Sequence, residues 1–207
     1  MTSIASPAEL TLERLTALEP RYVFFPHWSH RISREIHRRF ECVIFHMTDV
    51  PFGRGGSPLQ NLIANGIYET KVSALRCGEA LDAGPVYLKR PLSLHGTAEE
   101  IYLRAAGVVE TMIVDILSSA PRPRPQRGRA TVFRRRRPED GELSGARTLR
   151  EAFDLVRMLD ADGYPAAFTR VGPFRIEFTR ASLKTGAVLA DARITLEHSE
   201  VEDDQDR

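Results

Sequence analysis

A histidine stands where a run of apolar residues gives way to glycine. Residues 42 to 45, Cys-Val-Ile-Phe, have the composition of a buried strand, and His46 follows them where loop residues begin. An imidazole titrates near neutral pH, so at a strand's end it can take up or hand over a proton. The loop beyond carries Gly53, Gly55 and Gly56, which admit positive φ and let backbone approach a ligand closely. It ends on Ser57-Pro58-Leu59-Gln60, read as a capping box with proline at the first helical position. The free N–H groups of that helix would point back toward His46. Strand, histidine, glycine loop and helix start converge on one small volume.

Other elements must hold that volume in place. Leu12, Leu15 and Leu18 line one side of a short helix, capped from Ser6-Pro7-Ala8-Glu9 or from Thr11, that ends before Pro20. Residues 22 to 25 read as a strand, residues 26 to 30 as a loop, and a basic amphipathic helix runs on through Phe40. A helix over residues 57 to 65 closes at Asn65-Gly66. Strands at 70 to 77 and 85 to 88 flank Leu81-Asp82-Ala83-Gly84, which taken alone is turn chemistry. Thr97-Ala98-Glu99-Glu100 opens a long helix with Ile101, Ala105, Val108, Met112 and Ile116 on its apolar stripe. Residues 121 to 129, rich in proline and arginine, cannot be helical and read as a basic linker, followed by Phe133 and the cluster Arg134 to Arg137. Thr148 caps a further helix through Leu159, two strands at 174 to 179 and 188 to 196 form a hairpin about Lys184-Thr185-Gly186, and the charged residues 200 to 207 read as disordered.

Composition narrows the function classes. With 207 residues, a hydrophobic share of 42% and a net charge of +1, the chain suits one core domain with a small appendage, and only local charge runs can argue for a polyanionic partner. Cys42 and Cys77 are too few for a zinc motif and read as small buried apolar residues of a reducing, cytoplasmic protein. His27, His30 and His37 straddle a loop and a helix rather than one rigid face, so no metal site is expected. No apolar run reaches membrane-spanning length, and the first ten residues lack a signal-peptide pattern. Around Arg134, Arg135 and Arg136 the aromatic interleaving of a base-stacking surface is thin, which favours solvated surface or phosphate over RNA.

Ile44-Phe45-His46, Val50-Pro51-Phe52-Gly53-Arg54-Gly55, Pro58 and Leu81-Asp82-Ala83-Gly84 together resemble the signature of folate-dependent formyltransferases, over roughly residues 20 to 170. Tyr164-Pro165-Ala166-Ala167-Phe168 resembles a segment of short amino-sugar N-formyltransferases, the members judged nearest. The resemblance implies an α/β fold: an open Rossmann-like sheet, reduced at the N-terminus, with a small C-terminal α+β appendage. The expected organisation is a catalytic domain over 1–120, a basic linker over 121–147, a helix-plus-hairpin region over 148–199 and a tail over 200–207. Family members normally have a strand and helix before the equivalent of Tyr22, so this chain is either reduced or started late, and an exposed sheet edge leaves a homodimer open.

The implied reaction moves a formyl group from 10-formyltetrahydrofolate to a primary amine, with a nucleotide-linked amino sugar as the expected acceptor and no nucleic acid. The alternatives are a methionyl-tRNA formyltransferase-like enzyme and a non-catalytic ligand-binding descendant. The resemblance assigns proton transfer to His46 and Asp82, and donor binding to His27, Trp28, Ser29, Pro51, Gly53, Arg54 and Gly55. Substrate phosphate would fall to Arg134, Arg135 and Arg136. Where the family has an oxyanion-binding asparagine this chain has Ile44, so Thr48, Asn61, the N–H groups at the helix start or a protonated His46 become the candidates for that duty.

Overall fold

The sheet that carries His46 is built from four strands, and the structure, a computed structural model, describes residues 2–197. The tail expected at 200–207 lies outside the described residues. A short 3-10 turn at Pro7–Glu9 precedes α1 (Leu12–Leu18), whose cap is Thr11: its hydroxyl accepts the Arg14 N–H at 3.1 Å. Ser6 instead gives its hydroxyl to the Glu9 carboxylate. Next come β1 (Val23–Phe25), α2 (Arg34–Arg39, capped by Ser33), β2 (Cys42–His46), the two-residue β3 (Arg54–Gly55) and α3 (Pro58–Ala64). β4 (Glu69–Arg76) and β5 (Val86–Ser93) follow, then α4 (Ala98–Ser119) behind the complete Thr97–Glu100 capping box. The order in the sheet is β1-β2-β4-β5: β1 lies parallel to β2, and the other neighbours are antiparallel.

Alternation along β2 divides the core between the two faces of the sheet. Val43 packs with Leu59, Leu62 and Met112 in the large cluster under α4, while Cys42 packs with Leu15, Phe25, Ile32 and Ile36 in a smaller one, against which Ile44 and Trp28 lean. Burial of each such side chain contributes about 1.5–3 kcal/mol. On α4 the buried stripe passes through Val109 rather than Val108, and otherwise follows the expected Ile101, Ala105, Met112 and Ile116. Burial pushes the Cys42 thiol up to about 12, as suits an apolar filler rather than a nucleophile.

The remaining elements are β6 (Val132–Phe133), which runs parallel to β3, then α5 (Leu149–Arg157), β7 (Ala167–Val171), β8 (Phe174–Lys184) and β9 (Ala187–Leu196). The expected hairpin is thus two strands of a three-stranded antiparallel sheet, and its first strand is supplied by the end of the Tyr164 to Phe168 segment. Arg157 joins this part to the main sheet. Only 3% exposed, it pairs with Asp154 at 2.7 Å and donates to the carbonyls of Leu94 and Gly96. Tyr68 in turn donates its hydroxyl to Asp154 at 2.6 Å.

Candidate active site

β2 delivers His46 to the end of the sheet, and the turn after β4 delivers Asp82 to the same place. Both are 7% exposed, with His46 Nδ1 3.5 Å from Asp82 Oδ2. That separation permits charge interaction but exceeds a good hydrogen bond. The other ring nitrogen, Nε2, lies 2.8 Å from the Gly53 carbonyl oxygen and must carry a hydrogen to bond there. Asp82 Oδ2 also accepts the Gly55 N–H at 2.9 Å. The carboxylate therefore links histidine, glycine loop and turn at one oxygen. The turn is tight: a Cβ on Gly84 would meet the Arg76 carbonyl oxygen at 1.8 Å.

The loop between β2 and α3 is fastened along its length. Lys89 reaches Asp49 and the Val50 carbonyl at its start. Thr48, fully buried, donates its hydroxyl to the Gly53 carbonyl at 3.3 Å, while Ser73 donates to the Thr48 carbonyl at 2.6 Å. Gly53 has φ of +70°, and a Cβ there would lie 2.6 Å from the Phe133 ring. Pro51 follows a cis peptide bond and its carbonyl accepts the Thr131 N–H. The Gly53 N–H donates to the Thr131 hydroxyl at 2.7 Å.

Helix α3 does not begin as its sequence suggests. Ser57 is left-handed, at φ of +48°, and makes no side-chain cap. Its hydroxyl instead accepts the Arg136 N–H at 3.0 Å, while Gln60 turns inward to the Tyr102 hydroxyl and the Met158 carbonyl. Tertiary partners outcompete the local capping box.

The basic segment after α4 lies across this site. Arg124 forms a β-bridge with Val86, and the amide of Gln126 donates to the carbonyls of Asp82 and Gly84, each at 2.8 Å. The Gln126 carbonyl oxygen accepts from Arg54 at 2.7 and 3.1 Å. Arg54 is thereby tied to the turn of Asp82. Gln126 was not singled out from the sequence, where a lone amide in a proline-arginine run gives little signal.

Several expected site residues are engaged elsewhere. The Asn61 amide donates to the carbonyls of Gly56, Ser57 and Arg134, so its donors hold backbone. Arg134 makes a two-pronged ion pair with Asp140, and Arg136 donates to the Asp140 carbonyl. The Arg134 bond and the Arg137 N–H hold the Asp140 carboxyl well below its ordinary range. The Arg135 backbone packs on Gly56. Trp28 packs edge-on to Phe25 and His30 at 5.6 and 5.7 Å, its indole N–H buried without an acceptor among the described residues. His27 lines a hollow of about 320 Å³ against Tyr102 and Leu103 of α4. Ser29 stays in the loop between β1 and α2. The fold thus gathers His46, Asp82, Thr48, Pro51, Gly53, Arg54 and Gly55, and it does not gather His27, Trp28, Asn61 or the arginine cluster into polar contact with them. Ile44, two residues before His46, is set among apolar side chains and offers no donor.

The same fold occurs in proteins of known structure. Methionyl-tRNA formyltransferase from Clostridium thermocellum is 49% identical, with a TM-score of 0.91 over 94% of this chain and 86% of that one. This chain belongs to the formyltransferase superfamily, on its methionyl-tRNA formyltransferase-like side. Residues 138–195 match the family described as methionyl-tRNA formyltransferase, C-terminal domain. The methionyl-tRNA formyltransferase of Thermodesulfovibrio yellowstonii is 24% identical over 84% of this chain and 59% of the relative. With 43% and 50% of two further methionyl-tRNA formyltransferases covered, the chain spans about half the length of the curated relatives it matches. HypX from Aquifex aeolicus, solved in complex with tetrahydrofolic acid, shares the fold at 18% identity and TM-score 0.66, over 84% of this chain and 31% of that one. A sugar N-formyltransferase from Shewanella sp. shares it at 15% and 0.61, over 92% and 76%. The expected nearness to amino-sugar enzymes is corrected by these values, because the short Tyr164 to Phe168 segment is outweighed by identity along the whole chain.

Proposed function

We propose that the chain transfers a formyl group from 10-formyltetrahydrofolate to a primary amine, with His46 and Asp82 moving the proton. The observation that carries this reading is the buried pair itself, His46 against Asp82, closed over by the backbone of Gly53 and Gly55. As the amine nitrogen bonds to the formyl carbon, the bond from that carbon to the folate nitrogen breaks. The products are a formamide and tetrahydrofolate. The amine loses one proton and the folate nitrogen gains one, a transfer suited to an imidazole beside a carboxylate. Ile44 supplies no donor for the oxyanion and the N–H groups of Gly53, Arg54, Gly55 and Gly56 are already bonded, so a protonated His46 is the donor this reading leaves for it. The donor class is supported by the tetrahydrofolate complex of HypX.

For the acceptor, an aminoacyl-tRNA is the favoured reading. It is supported by the 49% identical relative. Arg122, Arg124, Arg127, Arg129, Arg135 and Arg137 are also exposed, with no carboxylate at ion-pair distance among the described residues, on the segment that crosses the site. A nucleotide-linked amino sugar is the second reading. In its favour, Arg136 and Arg150 line a hollow of about 420 Å³.

The test incubates the chain with 10-formyltetrahydrofolate and either methionyl-tRNA or a panel of nucleotide-linked amino sugars, with mass spectrometry to detect the formyl gain. Formylated methionyl-tRNA, at a rate falling steeply with salt, is expected. Formyl gain by a sugar alone selects the second reading. No formyl gain in either arm, in protein that folds and binds 5-formyltetrahydrofolate, would make the chain a binding descendant.

A further inference from the structure

Strand β9 is the open edge of the C-terminal sheet, and its sequence is complementary to itself. β8 pairs with one side of it, and among the described residues nothing pairs with the other. Residues 189 to 194 are all exposed. The sheet face that reaches the core at Ala167 and Phe178 runs on uncovered through Val171, Phe174, Ile194 and Leu196, which are 57%, 42%, 63% and 61% exposed. An edge of this length without proline or lysine lacks the usual guards against pairing. Its charges are Asp191 and Arg193, of opposite sign, on either side of Ala192. Within the chain Asp191 pairs with Arg180, and Arg193 approaches Glu177 at 4.0 Å.

We infer that a second copy of this chain docks on β9, antiparallel, about a two-fold axis through Ala192. In that register Asp191 faces Arg193 of the second copy, Ala190 faces Ile194 and Val188 faces Leu196. The pairs on one face are then apolar, and on the other the two charges meet their opposites, with Leu189 facing Thr195 beside them. An axis through Asp191 or Arg193 would set like charges against each other, and only the axis through Ala192 sets Asp191 against Arg193. The backbone is also ready. The Glu197 N–H bonds to the Pro173 carbonyl, so by alternation the N–H and C=O groups of Leu196, Ile194, Ala192 and Ala190 point to the free edge. The row Val171, Phe174, Leu196 continues into Val188 and Leu183 of the second copy, extending one apolar face across both. This inference is independent of the formyl-transfer reading.

Sedimentation of the full chain tests it. The wild type is expected to be a dimer. Arg193→Asp alone brings carboxylates face to face and Asp191→Arg alone brings guanidinium groups face to face. Each should raise the dissociation constant by about tenfold or more, with the circular dichroism spectrum unchanged. An equimolar mixture of the two variants should dimerise again, since each copy then meets only opposite charge. A wild type that sediments as a monomer up to about 100 μM, well above the micromolar constants of specific association, would overturn the proposal. So would a mixture that stays monomeric while the wild type dimerises, or a dimer that forms only after residues 198–207 are removed, which would make the tail the occupant.

Discussion

The Nε2 of His46 lies 2.8 Å from the carbonyl oxygen of Gly53, so the loop backbone occupies the hydrogen-bonding position that a reacting proton would use. Chemistry at His46 then requires this contact to give way as an acceptor amine arrives, while Asp82 keeps the opposite side of the ring.

Loss of either member of the pair should fall on turnover more than on binding. His46→Asn cannot move a proton, and Asp82→Asn keeps shape without charge. Each is expected to lower kcat in the formylation assay by about 100- to 10,000-fold, with the double variant scarcely worse than the singles because the two act as a unit. Near-normal turnover in both single variants would mean that the reaction occurs elsewhere on the chain.

Gly53→Ala probes the loop rather than the acid–base pair. The new Cβ would sit 2.6 Å from the Phe133 ring and 2.9 Å from the Thr48 methyl group, at φ of +70°. A stability loss of about 1–3 kcal/mol is expected in denaturant unfolding, together with reduced turnover. Gly186→Ala is the control: it shares a positive φ of +74° but has nothing within 4 Å, so it should leave turnover unchanged.

Gln126 is expected to position Asp82. Gln126→Glu can still accept from Arg54 but cannot donate to the Asp82 and Gly84 carbonyls. Displacement of the turn should cost about 10- to 100-fold in kcat with little change in KM for the donor. If KM rises while kcat stays, Gln126 acts on binding instead.

Acid should loosen the basic segment from its end. The Asp140 carboxyl is held low first by the Arg134 bond and then by the Arg137 N–H. A group with a depressed folded pKa stabilises above its unfolded value, about 3.9, and that contribution is lost as pH falls through the folded value. Asp140→Asn should therefore destabilise by about 1–2 kcal/mol at pH 7, with the difference from wild type shrinking in melts taken below pH 4. A difference undiminished between pH 7 and pH 2 would assign the effect to packing.

The placement of His46 and Asp82 was legible because both obey local rules. A strand that stops on His46 and a turn at Asp82 are readable from composition, and the long stripe of α4 from its period. What stayed hidden depends on distant partners. Ser57 carries a local capping signal, but the Arg136 N–H takes its hydroxyl. Arg134 looked free for phosphate, although Asp140 stands six residues on and takes its guanidinium. Strand β7 passed unnoticed because five residues with two charged or polar members give a weak period. No local pattern marks Gln126, whose role exists only once a remote turn lies beneath it.

Arg157 has a consequence for modularity. Its guanidinium is buried between a carboxylate on its own helix and the Leu94 and Gly96 carbonyls at the mouth of α4. Removing one partner of such a pair costs about 3–5 kcal/mol. A cut within residues 121 to 147 would strand an arginine in one fragment and bare carbonyls in the other. Neither fragment is then a self-sufficient building block. The appendage can be traded between relatives only if residues 94 to 96 travel with it or already match, and the whole chain should melt in a single step.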